Sequence, residues 1–291
     1  MEQIGMKRLL CQMLATVMVL GGLFVWNTRG ATVSVLAQEQ VDLPVLMYHS
    51  ILKDEARAND YVLSPGTLAA DLDYLKQHGY ETVTISQLVD YVDGQGDLPE
   101  KPILITFDDG FYNNYLYAYP LLKERGMCAV ISPIGREAVL YTENEQENAY
   151  WSYLSMKRLI EMQESGVFEI ANHSYQMHAN DVRNGCLKKR GEPENAYEAM
   201  LEADTRQAQT VLAEGGLTPP LCYTYPFGAY SQETERVMKK LGFRCTLSCE
   251  ERHNVITRDP ACLYLLGRYN RPSGIATDTF FAKMLHEEGK K

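Results

Sequence analysis

From residue 43 onward, short apolar runs alternate with stretches in which apolar residues recur every three or four positions. The runs at residues 43–49, 81–85, 103–107, 128–132, 167–171, 221–225, 243–247 and 262–266 are β-branched and aromatic enough to predict strands. Between them the helical period predicts helices. One opens at Ser64-Pro65, carries Leu68, Leu72 and Leu75, and stops at Gly79. Others start at Ser86 and span 112–125, 155–165, 196–214, 231–241 and 280–288. Residues 133–150 and 180–194 are polar and read as exposed loops. Strand and helix in alternation are the signature of parallel βαβ units, so the fold class is α/β. His49, Asp108, Asp109, His173, His178 and Phe227 all fall at or just past the end of a predicted strand. In parallel α/β folds that is the face on which sites are built.

The run 103–107 ends in Asp108-Asp109-Gly110. A polar turn is the plain reading, because Asp and Gly are ordinary turn residues. Two adjacent desolvated carboxylates repel each other, however, unless a cation or a shared proton intervenes. His173-Ser174-Tyr175-Gln176-Met177-His178 supplies two imidazoles after another strand. A carboxylate with two imidazoles is the ligand set of a zinc-type catalytic centre that keeps an open position. One Asp can then bind the metal while the other takes a proton from the attacking water. His173 and His178 are five apart, which is not a helix-face spacing, so a loop must bring them together.

Charge and the N-terminus narrow the setting. The net charge of −10 and pI near 5.2 argue against nucleic acid as a partner. Lys7 and Arg8 precede an apolar stretch from Leu9 to Trp26, and Val35-Leu36-Ala37 resembles a cleavage site. Residues 1–37 are therefore expected to be a signal peptide or a membrane anchor, with residues 38–291 as an exported domain, secreted or held at the cell surface. Six cysteines remain beyond Cys11, which permits disulfides without specifying any.

Thr106-Phe107-Asp108-Asp109-Gly110 resembles the first motif of the polysaccharide deacetylases, carbohydrate esterase family 4, also called the NodB homology domain. His173-Ser174 followed by His178 resembles the second motif, with the spacing of the branch that includes biofilm poly-N-acetylglucosamine deacetylases. Leu43-Pro44-Val45-Leu46-Met47-Tyr48-His49 is similar to the same branch, and the resemblance covers roughly residues 43–285. It implies a distorted (β/α) barrel of fewer than eight strands. It further implies Asp109, His173 and His178 as ligands of a divalent metal, zinc before nickel, cobalt or iron, with Asp108 as general base. Thr224-Tyr225-Pro226-Phe227-Gly228 resembles the third motif, which places Tyr225, Pro226 and Phe227 at the substrate and gives the Phe227 backbone N–H to the oxyanion. The arginine that usually holds the catalytic Asp is replaced by Thr224, and Arg268 is the expected substitute.

The fourth and fifth motifs have no clear match. The general acid is then sought elsewhere, since His253 sits in a polar stretch and His286 in a charged terminal helix read as surface. In a closed barrel the first and last strands are neighbours, so His49 can stand where a late histidine usually does, across the metal from Asp108. The expected activity is metal-dependent hydrolysis of N-acetyl groups on an N-acetylglucosamine-containing polysaccharide by a monomer. An O-acetyl esterase and a glycan-binding module without catalysis are the alternatives.

Overall fold

The computed structural model describes residues 40–178 and 183–285. The predicted export segment at 1–37, Cys11 and His286 lie outside the described residues. Seven strand segments carry the fold: β1 (Val45–Tyr48), β2 (Pro102–Asp109), β3 (Ala129–Pro133), β4 (Phe168–Ile170), β5 (Cys222–Thr224), β6 (Cys245–Leu247) and β7 (Tyr269–Asn270). β7, β1, β2, β3 and β4 pair side by side, all parallel, and β5 pairs with β6 in parallel. Parallel bridges at Asn172–Tyr223 and Leu247–Leu266 join the two sheets, so the hydrogen-bonded path returns to its start. The α/β class with parallel pairing is as expected. A closed path has no open edge, which removes the hazard of exposed strand edges.

Side-chain alternation along β2 sorts the interior from the exterior. Ile103, Ile105 and Phe107 face outward and pack with Leu68, Leu72, Leu122 and Leu159 of the surrounding helices. Leu104 faces inward with Val45, Val130, Cys222 and Cys245. Toward the C-terminal ends of the strands the interior turns polar. Thr106 donates to the Leu46 carbonyl at 2.7 Å, and the Ser132 and Thr224 hydroxyls pair at 2.7 Å. The apolar floor is completed by Val41–Leu43, paired antiparallel with Asn254–Ile256, two strands that the apolar pattern did not predict.

Several elements follow their local signals. Ser64 caps Pro65–Gln77 by accepting from the Thr67 N–H at 3.1 Å. Thr84, rather than Ser86, caps Ile85–Val92 in a capping box with Gln87, which cuts the preceding strand to Glu81–Thr82. Other expectations are corrected. The predicted loop at 133–150 contains the helix Gly135–Asn144, which has no capping side chain. Its first N–H groups are satisfied at a distance, Gly135 and Arg136 donating to the Ser174 and Tyr175 carbonyls at 3.0 Å each. The predicted strand at 262–266 is instead a 3₁₀ turn, Pro260–Leu263, capped by Asp259, and the last strand comes later at β7. The predicted helix at 112–125 opens as a π turn, Asn114–Ala118, before the α-helix Tyr119–Arg125. Pro120 lacks an N–H, so the regular helix can start only where that donor is not needed.

One buried ion pair ties the ring to its helices. Arg271 donates to Asp71 at 2.9 and 3.1 Å, and Asp71 also accepts from the Tyr48 and Thr277 hydroxyls at 3.1 and 2.7 Å. Removing one partner leaves the other charge buried and unpaired. Asp71→Ala is expected to lower stability by about 3–5 kcal/mol, read as a shift of the urea midpoint without a change in slope.

Candidate active site

β2 delivers both carboxylates to one cavity by an irregular backbone. Alternation turns Asp108 inward and would turn Asp109 outward. Asp109 instead adopts φ +68°, a left-handed conformation that Asp tolerates better than most residues, and so faces the same cavity. Gly110 follows at φ +76°, where a Cβ would sit 2.9 Å from Pro133 Cα, so only glycine fits. Ser174 and Phe227 also carry positive φ, at 68° and 57°. Strained residues of this kind gather at functional sites.

The histidines come from the loop after β4. His173 Nδ1 lies 2.9 Å from the Thr224 carbonyl, an acceptor that requires the proton on Nδ1 and leaves Nε2 with a free lone pair. The loop is wound tightly enough to bring His178 back beside it. Ser174 N–H donates to Asn172 Oδ1 at 2.8 Å, and Met177 N–H donates to Ser174 Oγ at 2.9 Å. Asp204, from the helix Glu194–Glu214, accepts from the Tyr175 and Gln176 N–H groups at 2.9 and 3.0 Å. The two imidazole rings end 5.2 Å apart, with Nε2 of His173 and of His178 at 3.5 and 3.2 Å from Asp109 Oδ1.

Asp204 escaped the sequence reading because nothing local marks one acidic residue of a polar helix as a loop anchor. Asp204→Ala is expected to weaken metal affinity about 10–100-fold while leaving the three donors in place. Competition with a chromogenic chelator measures this.

Asp109 Oδ1 is buried and accepts no hydrogen bond, and two imidazole nitrogens are turned toward it. The candidate ligand atoms of Asp109, His173 and His178 all lie within 4.8 Å of one another. One carboxylate and two imidazoles with an orphaned oxygen at their centre fit a divalent cation.

Asp108 has a different partner. Arg268, fully buried just before β7, donates to its two oxygens at 2.7 and 2.8 Å. The guanidinium is held in turn by the Ser248 carbonyl at 2.8 Å and the Thr106 hydroxyl at 3.2 Å. Burial pushes the Asp108 carboxyl up, but the charge and hydrogen bonds of Arg268 outweigh it and hold the carboxyl well below the usual range. Thr224, at the position of the missing arginine, spends its hydroxyl on Ser132 and its carbonyl on His173.

His49 Nε2 lies 4.0 Å from Asp108 Oδ2, so these two adjoin rather than facing each other across the centre. The ladder explains it: Tyr48 pairs with Phe107, which makes His49 and Asp108 neighbours in register. Burial lowers the His49 pKa despite the nearby carboxylates.

A cavity of about 510 Å³ opens over these groups and is lined further by Tyr61, Phe111 and Phe227. Phe227 is 39% exposed, its ring 4.2 Å from that of His178. Tyr225 and Pro226 are placed differently from the expectation. Both are buried and neither lines the cavity. Tyr225 packs on the outer face of the ring with Tyr223 and Tyr230. The third-motif stretch therefore reaches the cavity through Phe227.

The profile of the polysaccharide deacetylases matches residues 95–246, more than half of the chain. This chain belongs to the polysaccharide deacetylase family. It is a hydrolase, and its activity is that of a polysaccharide deacetylase. The chain is 28% identical over 247 residues to the putative polysaccharide deacetylase YxkH of Bacillus subtilis, covering 84% of this chain and 77% of that protein. It is 26% identical over 195 residues to the poly-beta-1,6-N-acetyl-D-glucosamine N-deacetylase of Staphylococcus aureus (strain MRSA252), covering 66% of this chain and 63% of that protein's length. Among solved structures, IcaB from Ammonifex degensii superposes with a TM-score of 0.68 at 25% identity, covering 84% of this chain and 96% of that one. A de-N-acetylase from Aggregatibacter actinomycetemcomitans shares the fold, with a TM-score of 0.68 at 24% identity over 85% of this chain and 99% of that one. The deacetylase profile includes Asp108, Asp109, His173, His178 and Phe227, while His49 and Arg268 lie on either side of it.

Proposed function

We propose that the chain is an exported, metal-dependent deacetylase that removes N-acetyl groups from an N-acetylglucosamine-containing polysaccharide at the cell surface. The observation that carries this reading is the pairing within one cavity of two unlike carboxylates. Asp109 stands with two imidazoles and no hydrogen-bond donor, while Asp108 is clamped by a buried guanidinium. Environments that push two neighbouring acids into different roles mark acid–base chemistry. A glycan-binding module would have no use for a base held ionised in this way. The staphylococcal relative's name points to the polymer, poly-beta-1,6-N-acetyl-D-glucosamine.

Asp109, His173 and His178 would hold the metal, zinc foremost. When bound, such a cation polarises the acetamide carbonyl and lowers the pKa of water beside it. Asp108 accepts the proton of the attacking water, and Arg268 keeps it ionised and oriented until then. The Phe227 backbone N–H donates to the oxyanion that forms as water adds to the carbonyl. His49 delivers a proton to the amine nitrogen as the C–N bond breaks, and acetate and a free amine leave. Its Nε2 is 4.0 Å from Asp108, so the proton taken at one group is released beside the other.

The test is acetate release from β-1,6-linked N-acetylglucosamine oligosaccharides, abolished by a chelator and restored by zinc. No release in the presence of added zinc overturns the reading. His49→Ala isolates the acid. Its rate on acetamido sugars is expected to fall about 10²–10⁴-fold, with a much smaller loss on an activated acetate ester, whose leaving group needs no proton. Equal losses on both substrates would assign His49 to binding or structure.

A further inference from the structure

Tyr61 is held out at the mouth of the cavity with 59% of its surface exposed. Single exposed aromatics are ordinary on protein surfaces. What sets Tyr61 apart is the rigidity of its mounting. Asn59 and Val62 bond to each other in both directions, at 3.2 and 3.4 Å, across a tight turn with Tyr61 near its tip. Tyr61 N–H donates to Asn59 Oδ1 at 2.8 Å, and its carbonyl accepts from Ser50 at 3.0 Å. The barrel grips the turn from the other side. Asn270, at the end of β7, donates to the Asp60 carbonyl at 2.9 Å, and Ser273 donates to the Asn59 carbonyl at 3.1 Å. The ring meets His49 edge-on, with centroids 4.9 Å apart. The ring is therefore rooted on a backbone held beside a group that we place at the scissile amide, and more than half of the residue's surface is open to solvent.

We propose that Tyr61 is the stacking platform for the sugar unit next to the one being deacetylated, so that the enzyme takes a polymer chain rather than a single sugar. This rests on the deacetylase reading above and extends it to the substrate's length. The apolar C–H face of a pyranose is complementary to an aromatic ring, and a ring carried on an ordered turn needs no backbone ordering on binding. Phe227, 39% exposed and packed against His178, stands on the side of the metal ligands, and Tyr61 stands on the side of His49. A chain whose acetamide reaches Asp108 and Asp109 would thus meet an aromatic residue at either end of the cavity. The turn that carries Tyr61 lies outside residues 95–246, which the family profile matches.

The experiment measures binding in an Asp108→Asn background, where turnover is blocked. Affinities are determined calorimetrically for N-acetylglucosamine and for its β-1,6-linked tetrasaccharide. Tyr61→Ala is expected to weaken the tetrasaccharide about tenfold and the monosaccharide by no more than about twofold, while Tyr61→Phe retains the tetrasaccharide affinity. Tyr61→Leu, of similar bulk, serves if the alanine variant fails to fold, and is expected to behave like it. Equal weakening of both sugars would mean that Tyr61 acts by shaping His49, and no weakening would mean that its face is unused; either overturns the proposal. Tyr61-dependent binding of the tetrasaccharide, together with no acetate release by the zinc-supplied protein with Asp108 intact, would overturn the deacetylase reading and leave the platform standing.

Discussion

Arg268→Met is expected to lower acetate release at neutral pH by about 10²–10⁴-fold, the range attached to a general base, and to cost about 3–5 kcal/mol of stability. Arg268 and Asp108 are both buried, and the guanidinium makes two of its hydrogen bonds to that one carboxylate. In the variant the two largest effects that oppose burial are gone, and burial by itself drives the Asp108 carboxyl upward. The sign for catalysis follows. The base works only when ionised, so the acidic limb of the pH–rate profile moves to higher pH and activity recovers partly as the pH is raised. The sign for stability follows from the same shift. In the wild type the folded-state pKa is depressed, so the pair's contribution is present above the unfolded value of about 3.9 and is lost as pH falls through the folded value. Arg268→Met should therefore lose acid-sensitive stability that the wild type has. A variant with unchanged pH limb and unchanged urea midpoint would show that Arg268 neither orients nor stabilises the base.

Asp109→Ala is expected to lose both the metal and all measurable deacetylation. Asp109 is the one anion among three donors, and its unpaired Oδ1 is the point on which His173 and His178 converge. Without it two neutral imidazoles remain, one of them fixed to the Thr224 carbonyl, too few to hold a labile cation tightly. Metal content after dialysis, measured by elemental analysis, falls to background. Asp108→Asn is the informative companion: it should keep its metal and still lose about 10²–10⁴-fold in rate, because an amide cannot accept the proton. If the two variants behave alike in metal content, the division of labour between the adjacent carboxylates is wrong.

Much of this molecule was legible in one dimension. The alternation of apolar runs with helical periodicity specified parallel βαβ units, because each pattern can bury only one kind of surface. Asp108-Asp109-Gly110 and the His173, His178 pair marked a candidate metal centre, because adjacent buried carboxylates need a cation or a shared proton. Ser64-Pro65 and Gly79 bracketed their helix through local hydrogen bonding alone. Other features depended on contacts between distant segments. Only closure of the strand path sets Arg268 beside Asp108, 160 residues apart, because β7 and β1 become neighbours there. Asp109 faces the cavity through a left-handed backbone that the period of two would deny it. The helix Gly135–Asn144 lacks a cap of its own and stands on carbonyls of the histidine loop, so its polar sequence reads as a loop. The motif points Tyr225 at the substrate, but packing turns it outward, and Phe227 alone of that stretch reaches the cavity. Local propensity and periodicity act over a few residues and survive in the linear pattern. The clamp of Arg268 on Asp108, the winding of the loop from His173 to His178 and the choice of which aromatic lines the cavity depend on contacts between strands and helices that meet only after the ring has closed.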